Sequence, residues 1–122
     1  MSQPYFKAEI TFLASSEGGR DAPPPIRLHG AKYRPHLVVG DPNQRKAITF
    51  GNVIQEEYLG VEFVSGPENI VPGESFLAEL ALLYWPDVTY EALASGATFT
   101  VREGPHIVGY GTVKSVSMNG AT

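Results

Sequence analysis

Residues 97–116, ATFTVREGPHIVGYGTVKSV, predict a β-hairpin, and no other stretch of the chain constrains the fold as strongly. Apolar and polar residues alternate through 97–102, which is the pattern of a half-buried strand. The Gly-Pro pair at 104–105 predicts a two-residue type II′ turn, because glycine readily takes the positive φ required at its first position. Gly109 and Gly111 share one face of the returning strand, where we expect a sharp bend or the close approach of another backbone. Such a hairpin predicts an all-β barrel or sandwich.

The same alternation predicts further strands earlier in the chain, at residues 5–13, 36–39, 47–50 and 58–64. The stretch 74–85 is ambiguous. Its Leu, Ala and Glu residues favour a helix, and so does its periodicity, yet it also fits a buried strand that ends before Pro86. Residues 87–96 have room for one short helical turn.

The chain has 122 residues, and we expect a single domain over residues 1–122. The absence of cysteine excludes a disulfide framework and a thiolate metal site. The N-terminal sequence MSQPYFKAEITF lacks the basic start and apolar core of a signal peptide. The longest apolar run, 76–85, is too short to span a bilayer. These features predict a soluble, cytoplasmic protein without a membrane partner.

The charge is acidic overall but unevenly spread, with a net value of −4 at pH 7. Residues 1–55 carry seven Lys and Arg against four Asp and Glu, whereas residues 56–103 carry nine acidic residues and one Arg. An acidic domain lacks the electrostatic footprint of most nucleic-acid-binding proteins. A basic face within residues 20–46 stays open as an alternative to solvated loop charges, and it would comprise Arg20, Arg27, Lys32, Arg34, Arg45 and Lys46.

Five pieces of the sequence, in order and spacing, resemble the third domain of elongation factor Tu, a translational GTPase. They are FKAEITFLASSEGGR at 6–20, YRP at 33–35, IVPGES at 70–75, WP at 85–86 and FTVREGPHIVGYGTV at 99–113. Together they place the core of the likeness at about residues 5–117. The family domain is a six-stranded antiparallel β-barrel. The resemblance therefore implies this fold here and favours a strand at 74–85.

The sequence also departs from the family. The connection at 21–32 is longer, and the segment at 37–69 is expanded, so the resemblance gives neither segment a role. His36 stands where the family has Gln, and the hairpin turn at 104–105 is Gly-Pro rather than Gly-Gly. The phosphate-binding loop G-x-x-x-x-G-K-[ST] is absent, so we expect neither GTP hydrolysis nor a bound cofactor.

In the elongation factor, the E-G-G-R turn, the Y-R-P segment and the start of the last hairpin lie on the surface that faces the GTPase domain. The resemblance implies a partner-binding surface made of Gly18, Gly19, Arg20, Tyr33, Arg34, Pro35, His36, Thr100, Arg102 and Glu103. The alternative is structural. The two glycines would serve a turn, Tyr33 would pack in the core, and Arg102 and Glu103 would hold the barrel closed.

The sequence and the resemblance together predict a non-enzymatic protein-binding module. Its partner would be a translation-related GTPase or a protein that recognises the elongation factor, with the module acting as a mimic, a regulator or an antidote. A tRNA- or RNA-binding module using segment 20–46 is the alternative. A small hydrolase is a weaker one, because His29, His36 and His106 fit no common zinc motif and no nucleophile motif is present.

Two further groups of residues have competing interpretations. Tyr84, Trp85 and Tyr90 would either line a ligand pocket or pack in the core, and core packing is favoured. The Glu56-Glu57 pair is expected to be solvated.

Overall fold

The computed structural model describes residues 5–22, 33–51, 53–54, 56–67 and 69–117. A single 3-10 turn, Ser15–Glu17, follows the first strand. None of the described residues belongs to a helix long and apolar enough to cross a membrane. The described strands are β1 (Tyr5–Phe12), β2 (His36–Val39), β3 (Thr49–Phe50), β4 (Val53–Ile54), β5 (Leu59–Ser65), β6 (Phe76–Leu82), β7 (Thr98–Glu103) and β8 (His106–Ser117).

Six of these strands close into an antiparallel barrel in the order β1-β6-β5-β2-β7-β8, and β8 pairs with β1 to complete the circle. The predicted all-β, six-stranded barrel is confirmed. Alternate residues of each strand point inward, as the sequence pattern requires. Among the most deeply buried of these are Phe6, Ile10, Leu37, Val61, Leu80, Phe99 and Val101. Strands β3 and β4 form a separate two-stranded hairpin outside the barrel.

Strands β7 and β8 form the hairpin predicted from the sequence. Glu103 pairs with His106 across the Gly-Pro turn, and Gly104 has a positive φ of 60°. This conformation is the one that glycine adopts without steric cost, so the prediction for the turn is confirmed.

Gly109 and Gly111 let the backbone of β1 approach β8 closely. A Cβ atom on Gly109 would lie 2.7 Å from the carbonyl oxygen of Thr11, and one on Gly111 would overlap the carbonyl oxygen of Glu9. Neither position tolerates a side chain without a shift of the backbone. Of the two alternatives that these glycines left open, the close approach is the one observed, and it occurs at the seam where the barrel closes.

The ambiguous stretch forms a strand, β6. Both edges of β6 are paired, one with β1 and the other with β5, so its backbone hydrogen bonds are supplied by neighbours far away in sequence. This tertiary pairing outweighs the local helical propensity of Leu, Ala and Glu. Residues 87–96, all of them described, form hydrogen-bonded turns and no helix. The strand predicted at 47–50 is limited to Thr49–Phe50.

The two ends of the barrel carry different features. Strand β1 runs from Tyr5, opposite Ser117, to Phe12, opposite Gly109. The turn between β7 and β8 lies at the Phe12 end, whereas β6 and β8 finish at the Tyr5 end. We refer to them below as the Phe12 end and the Tyr5 end.

Candidate functional site

Three segments that are distant in sequence meet at the Phe12 end of the barrel. The hydroxyl of Tyr33 donates a hydrogen bond of 2.7 Å to the Glu103 carboxylate, and the Arg20 guanidinium forms an ion pair with the same carboxylate. The guanidinium carbon of Arg20 also lies 5.5 Å from the centroid of the Tyr33 ring. His106 Nε2 donates to the carbonyl oxygen of Gly18. We call Gly18, Arg20, Tyr33, Glu103 and His106 the rim cluster.

The turn after β1 brings Arg20 into this cluster. Gly18 ends the 3-10 turn with a φ of 93°, in the left-handed region that favours glycine. A Cβ on Gly19 would overlap the carbonyl oxygen of Leu13, so this position also requires glycine. The two glycines therefore allow the backbone to form the turn, as the structural interpretation proposed. The turn fixes the direction in which Arg20 points.

Residues 33–35 continue β2 alongside β5, through backbone hydrogen bonds of 3.0 and 3.1 Å. Their side chains alternate like those of a strand: Tyr33 and Pro35 are buried, and Arg34 points outward. Arg34 Nε donates to Glu62 Oε1 at 2.8 Å in an exposed ion pair. Arg34 thus lies beside the rim cluster without joining it.

Burial keeps the Tyr33 phenol protonated. Removal from water raises the pKa of Tyr33 above its ordinary value of 10, and the hydrogen bond to the negative Glu103 raises it further. At neutral pH, Tyr33 is therefore a fixed donor that holds the Glu103 carboxylate in place. Phe12 and Phe63 pack against its ring, with centroids 6.1 and 5.3 Å away. Tyr33 therefore packs in the core through its ring and supports the rim cluster through its hydroxyl.

Arg102 lies on the outer face of β7 but is fully buried. Its Nη1 and Nη2 donate to the two carboxylate oxygens of Glu56 at 2.8 and 3.1 Å, in a bidentate ion pair. Nη1 also donates to the Tyr58 hydroxyl at 3.1 Å, and Nε donates to Thr100 Oγ1 at 2.8 Å. We call Arg102, Glu56, Tyr58 and Thr100 the Arg102 cluster.

Arg102 is buried because the described residues between 41 and 58 lie over the outer face of the barrel. The Tyr58 ring packs against His36 of β2, with centroids 5.6 Å apart. The guanidinium of Arg45 lies 5.3 Å from the centroid of Tyr110 of β8. Arg45, Glu56 and Tyr58 lie between β2 and β5 within the expanded segment 37–69, and this part of the segment covers strands β2, β7 and β8.

The ten residues of the predicted partner-binding surface are thus divided between two places. Gly18, Arg20, Tyr33 and Glu103 come together in the rim cluster, with Gly19 and Pro35 supporting them and Arg34 beside them. Thr100 and Arg102 are buried under residues 41–58, and His36 is half-buried there.

Sequence reasoning missed three participants, Glu56, Tyr58 and His106. Glu56 was expected to be solvated, and this prediction is wrong, because its side chain is only 7% exposed and is bound to Arg102. An outward-facing Arg beside a Thr is the ordinary pattern of a solvent-exposed strand face, so residues 97–102 gave no signal that Arg102 would be covered. The sequence also did not identify which of its many carboxylates would bind Arg102.

Of the four basic residues that the structure describes in segment 20–46, Arg20 and Arg34 have carboxylate partners, whereas Arg45 and Lys46 are exposed. Arg20 pairs with Glu103, Arg34 pairs with Glu62, and Arg45 donates to two backbone carbonyls. Arg27, Lys32 and His29 lie outside the described residues. Within the described part of the chain, no group of three or more His, Asp and Glu residues is arranged to hold a metal ion.

The aromatic residues at 84–90 lie at the Tyr5 end. Tyr90 is buried and donates to the carbonyl oxygen of Gly60 at 2.7 Å, which is the favoured core interpretation. Trp85 and Tyr90 also line an apolar groove of about 500 Å³. The ring of Tyr84 covers Gly60 from outside and is itself exposed. The core interpretation therefore describes Tyr90, and the pocket interpretation describes Trp85 and Tyr90.

No protein-family model matches the chain. The resemblance to the elongation factor barrel accordingly rests on the five sequence pieces alone. A barrel fold supports many unrelated functions, so function has to be argued from the site.

The Glu56 carboxylate gives the protein a predictable pH dependence. Its hydrogen bond with Arg102 lowers the pKa of Glu56 from its ordinary value of 4.5 to about 2. A carboxyl whose pKa is lower in the folded state stabilises that state above the unfolded pKa and loses this contribution as the pH falls. We expect the difference in unfolding free energy between wild type and Glu56→Gln to be largest above pH of about 5 and to shrink towards pH of about 2.

Urea denaturation at a series of pH values measures this difference. Glu62→Gln, which alters the exposed pair with Arg34, is the matched control and should cost about 1 kcal/mol or less at neutral pH. A wild-type to Glu56→Gln difference that is independent of pH would contradict the assigned ion pair.

Proposed function

We propose that this protein is a non-enzymatic protein-binding module that docks through the rim cluster onto a translation-related GTPase, or onto a protein that recognises elongation factor Tu. One observation carries the proposal. Arg20, Tyr33 and Glu103 belong to the three segments whose counterparts in the elongation factor face the GTPase domain, and they meet at the Phe12 end. A barrel with this surface would act in the cytoplasm as a mimic, a regulator or an antidote.

The chemistry of the rim cluster suits a protein interface. Arg20 and Glu103 are each 29% exposed and so remain accessible, while the buried Tyr33 holds both of them in place. Arg and Tyr are enriched in protein interfaces, and a planar guanidinium recognises carboxylates in two-point geometry. Because the side chains are already ordered, less conformational entropy is lost on binding.

The proposed docking surface is narrower than the resemblance implies. Thr100 and Arg102 are covered by residues 41–58 and have no access to a partner. Contact is therefore assigned to Gly18, Arg20, Arg34 and Glu103, all at the Phe12 end. This restriction also argues for a partner that approaches the end of the barrel rather than its side.

The bonding within the rim cluster favours recognition over catalysis. The Glu103 carboxylate already accepts from Arg20 and Tyr33, and His106 Nε2 is engaged by the Gly18 carbonyl. General acid–base chemistry needs a titratable group within reach of a substrate proton. In the described rim cluster these groups are instead occupied by one another.

The double variant Arg20→Ala/Arg34→Ala tests the docking surface. The probe is elongation factor Tu without its own third barrel, and the nucleotide-exchange factor of the same system serves as a second probe. Each exposed ion pair contributes at most about 1 kcal/mol to stability, so the variant should stay folded at ambient temperature. Binding should weaken by about 2 kcal/mol or more, as is common for arginines in an interface. Calorimetric titration measures both affinities.

Lys114→Ala is the matched control, because it removes an exposed cation that pairs with Glu9 away from the rim cluster. It should bind both probes like wild type. If neither probe binds wild type, or if the double variant binds as tightly as wild type, the docking proposal is wrong. Tight binding to tRNA that falls steeply with salt concentration would instead support the RNA-binding alternative.

A further inference from the structure

The hairpin of β3 and β4 displays an apolar face that nothing in the described structure covers. Phe50 is opposite Val53 in the pairing of the two strands, and Ile48 lies two residues before Phe50, so all three side chains share one face. Their exposed fractions are 57% for Ile48, 80% for Phe50 and 61% for Val53. Contiguous exposed apolar groups of this kind mark interaction sites. We call these three residues the apolar tip.

Hydrogen bonds to Glu56 fix the position of the apolar tip on the barrel. Glu56 accepts hydrogen bonds from the Gln44 side chain and from the backbone N–H of Ile48, both at 2.8 Å. The same carboxylate is bound to the buried Arg102. One ion pair therefore fixes both legs of the hairpin to the barrel, and the apolar tip loses little further conformational freedom when it binds.

The same chain also provides a site that fits an apolar tip. The groove of about 500 Å³ at the Tyr5 end is lined chiefly by Phe6, Leu82, Trp85, Tyr90, Leu93 and Val116. Its volume is in the range of sites that accept small ligands and bulky side chains. In a single molecule the two do not meet, because Phe50 remains 80% exposed.

The charges around the two elements are complementary. Lys46 is exposed two residues before Ile48, whereas the Arg45 guanidinium lies against Tyr110 of β8. Glu57 is exposed in the same segment, and Glu56 is neutralised by Arg102. The exposed Glu91 belongs to the lining of the groove, which in the described residues includes no Lys or Arg. Opposite potentials steer association and set its register.

We infer that the apolar tip of one molecule inserts into the apolar groove of a second copy of this chain. Phe50 fills the groove, and Lys46 faces Glu91 at its edge. The tip and the groove are different surfaces, so reciprocal exchange gives a closed dimer and one-way exchange gives a chain of molecules. The contact is small compared with a standard interface, which predicts weak, concentration-dependent association. It involves the side and the Tyr5 end of the barrel and leaves the rim cluster free.

Sedimentation equilibrium of the purified wild-type protein, over about 1 μM to about 1 mM, tests this inference. The average mass should rise above the 13.2 kDa of the monomer as concentration increases. Phe50→Ser should weaken association at least about 30-fold, the effect of removing a central aromatic contact. Val71→Ser, at another exposed apolar residue, is the matched control and should associate like wild type. Equal unfolding midpoints of the variants exclude misfolding as the cause.

Trp85 provides an independent signal from the groove, because it is the only tryptophan in the chain. Its fluorescence should shift to shorter wavelength with concentration in wild type and not in Phe50→Ser. Lys46→Glu and Glu91→Lys should each weaken association, and the two together should restore it.

Three outcomes overturn the inference. The wild-type protein stays monomeric over the whole concentration range, or Phe50→Ser associates as strongly as wild type, or the double variant Lys46→Glu/Glu91→Lys does not regain the association that each single variant loses. A monomeric wild type that captures a different protein or a lipid vesicle through Phe50 would show that the apolar tip has another occupant. None of these results depends on binding to the elongation factor probes, so this inference and the docking proposal succeed or fail separately.

Discussion

Replacing Glu56 with alanine is expected to lower the free energy of unfolding by about 3–5 kcal/mol, the usual cost of removing one partner of a buried ion pair. Arg102 is fully buried, and Glu56 neutralises it with both carboxylate oxygens. Without Glu56, the guanidinium keeps only the hydroxyls of Thr100 and Tyr58 as partners. A buried cation without a counter-charge strongly destabilises the folded state.

Urea denaturation of the variant measures this loss. Glu62→Ala is the matched control, because Glu62 is also 2.8 Å from an arginine, but Arg34 is 51% exposed. This control should cost about 1 kcal/mol or less. The double variant Glu56→Leu/Arg102→Met should be more stable than Glu56→Ala, because it removes both charges together. Equal losses for Glu56→Ala and Glu62→Ala would show that residues 41–58 are not fixed by this ion pair.

Phe99→Ala is expected to destabilise the barrel by about 3–5 kcal/mol, the range measured when a buried phenylalanine is truncated. Phe99 is fully buried on β7, directly opposite Gly111 of β8. A Cβ on Gly111 would lie 2.8 Å from the end of the Phe99 ring, so the ring occupies the space that the glycine leaves open. Alanine at this position leaves a cavity at the closing seam, which the surrounding strands fill only in part.

Chemical denaturation monitored by circular dichroism checks this value. Leu77→Ala is the control, because Leu77 is an apolar strand residue that is 63% exposed, and its replacement should change stability by about 0.5 kcal/mol or less. A loss for Phe99→Ala no larger than that of Leu77→Ala would contradict the central position of Phe99. Phe99→Ala should impair partner binding only as far as it unfolds the protein.

These two predictions separate two layers of the molecule. Phe99 belongs to the inner core, which any barrel of this kind must fill, whereas Glu56 and Arg102 join the barrel to an external cover. The cover decides which of the predicted surface residues a partner can reach. It also presents the apolar tip, so loss of Glu56 should weaken self-association as well as stability.

For the candidate site, the sequence and the resemblance predicted most of the residues that take part, but not which of them lie together. Gly18, Arg20, Tyr33 and Glu103 were all named from the resemblance, and the structure places them in one cluster. The same prediction included Thr100 and Arg102, which are buried elsewhere. Strand alternation fixes which face of β7 these residues occupy. Whether that face meets solvent depends on a segment more than forty residues away in sequence.

The sequence by itself determined the local features of this protein. The positive φ at Gly104 and the alternation of β1, β5 and β7 follow from the conformational limits of residues and their immediate neighbours. The local pattern of 76–82 fitted both a helix and a strand, and the resemblance implied the strand that is observed. The tertiary structure supplies the physical reason, because both edges of 76–82 are paired by β1 and β5 rather than by its own residues. Only the tertiary structure decided that Glu56 neutralises Arg102, because the sequence contains several carboxylates and does not show which of them lies next to this arginine. The choice among them was made by the path of residues 41–58 over the outer face of the barrel, where removal from water makes one specific pairing far more favourable than the others.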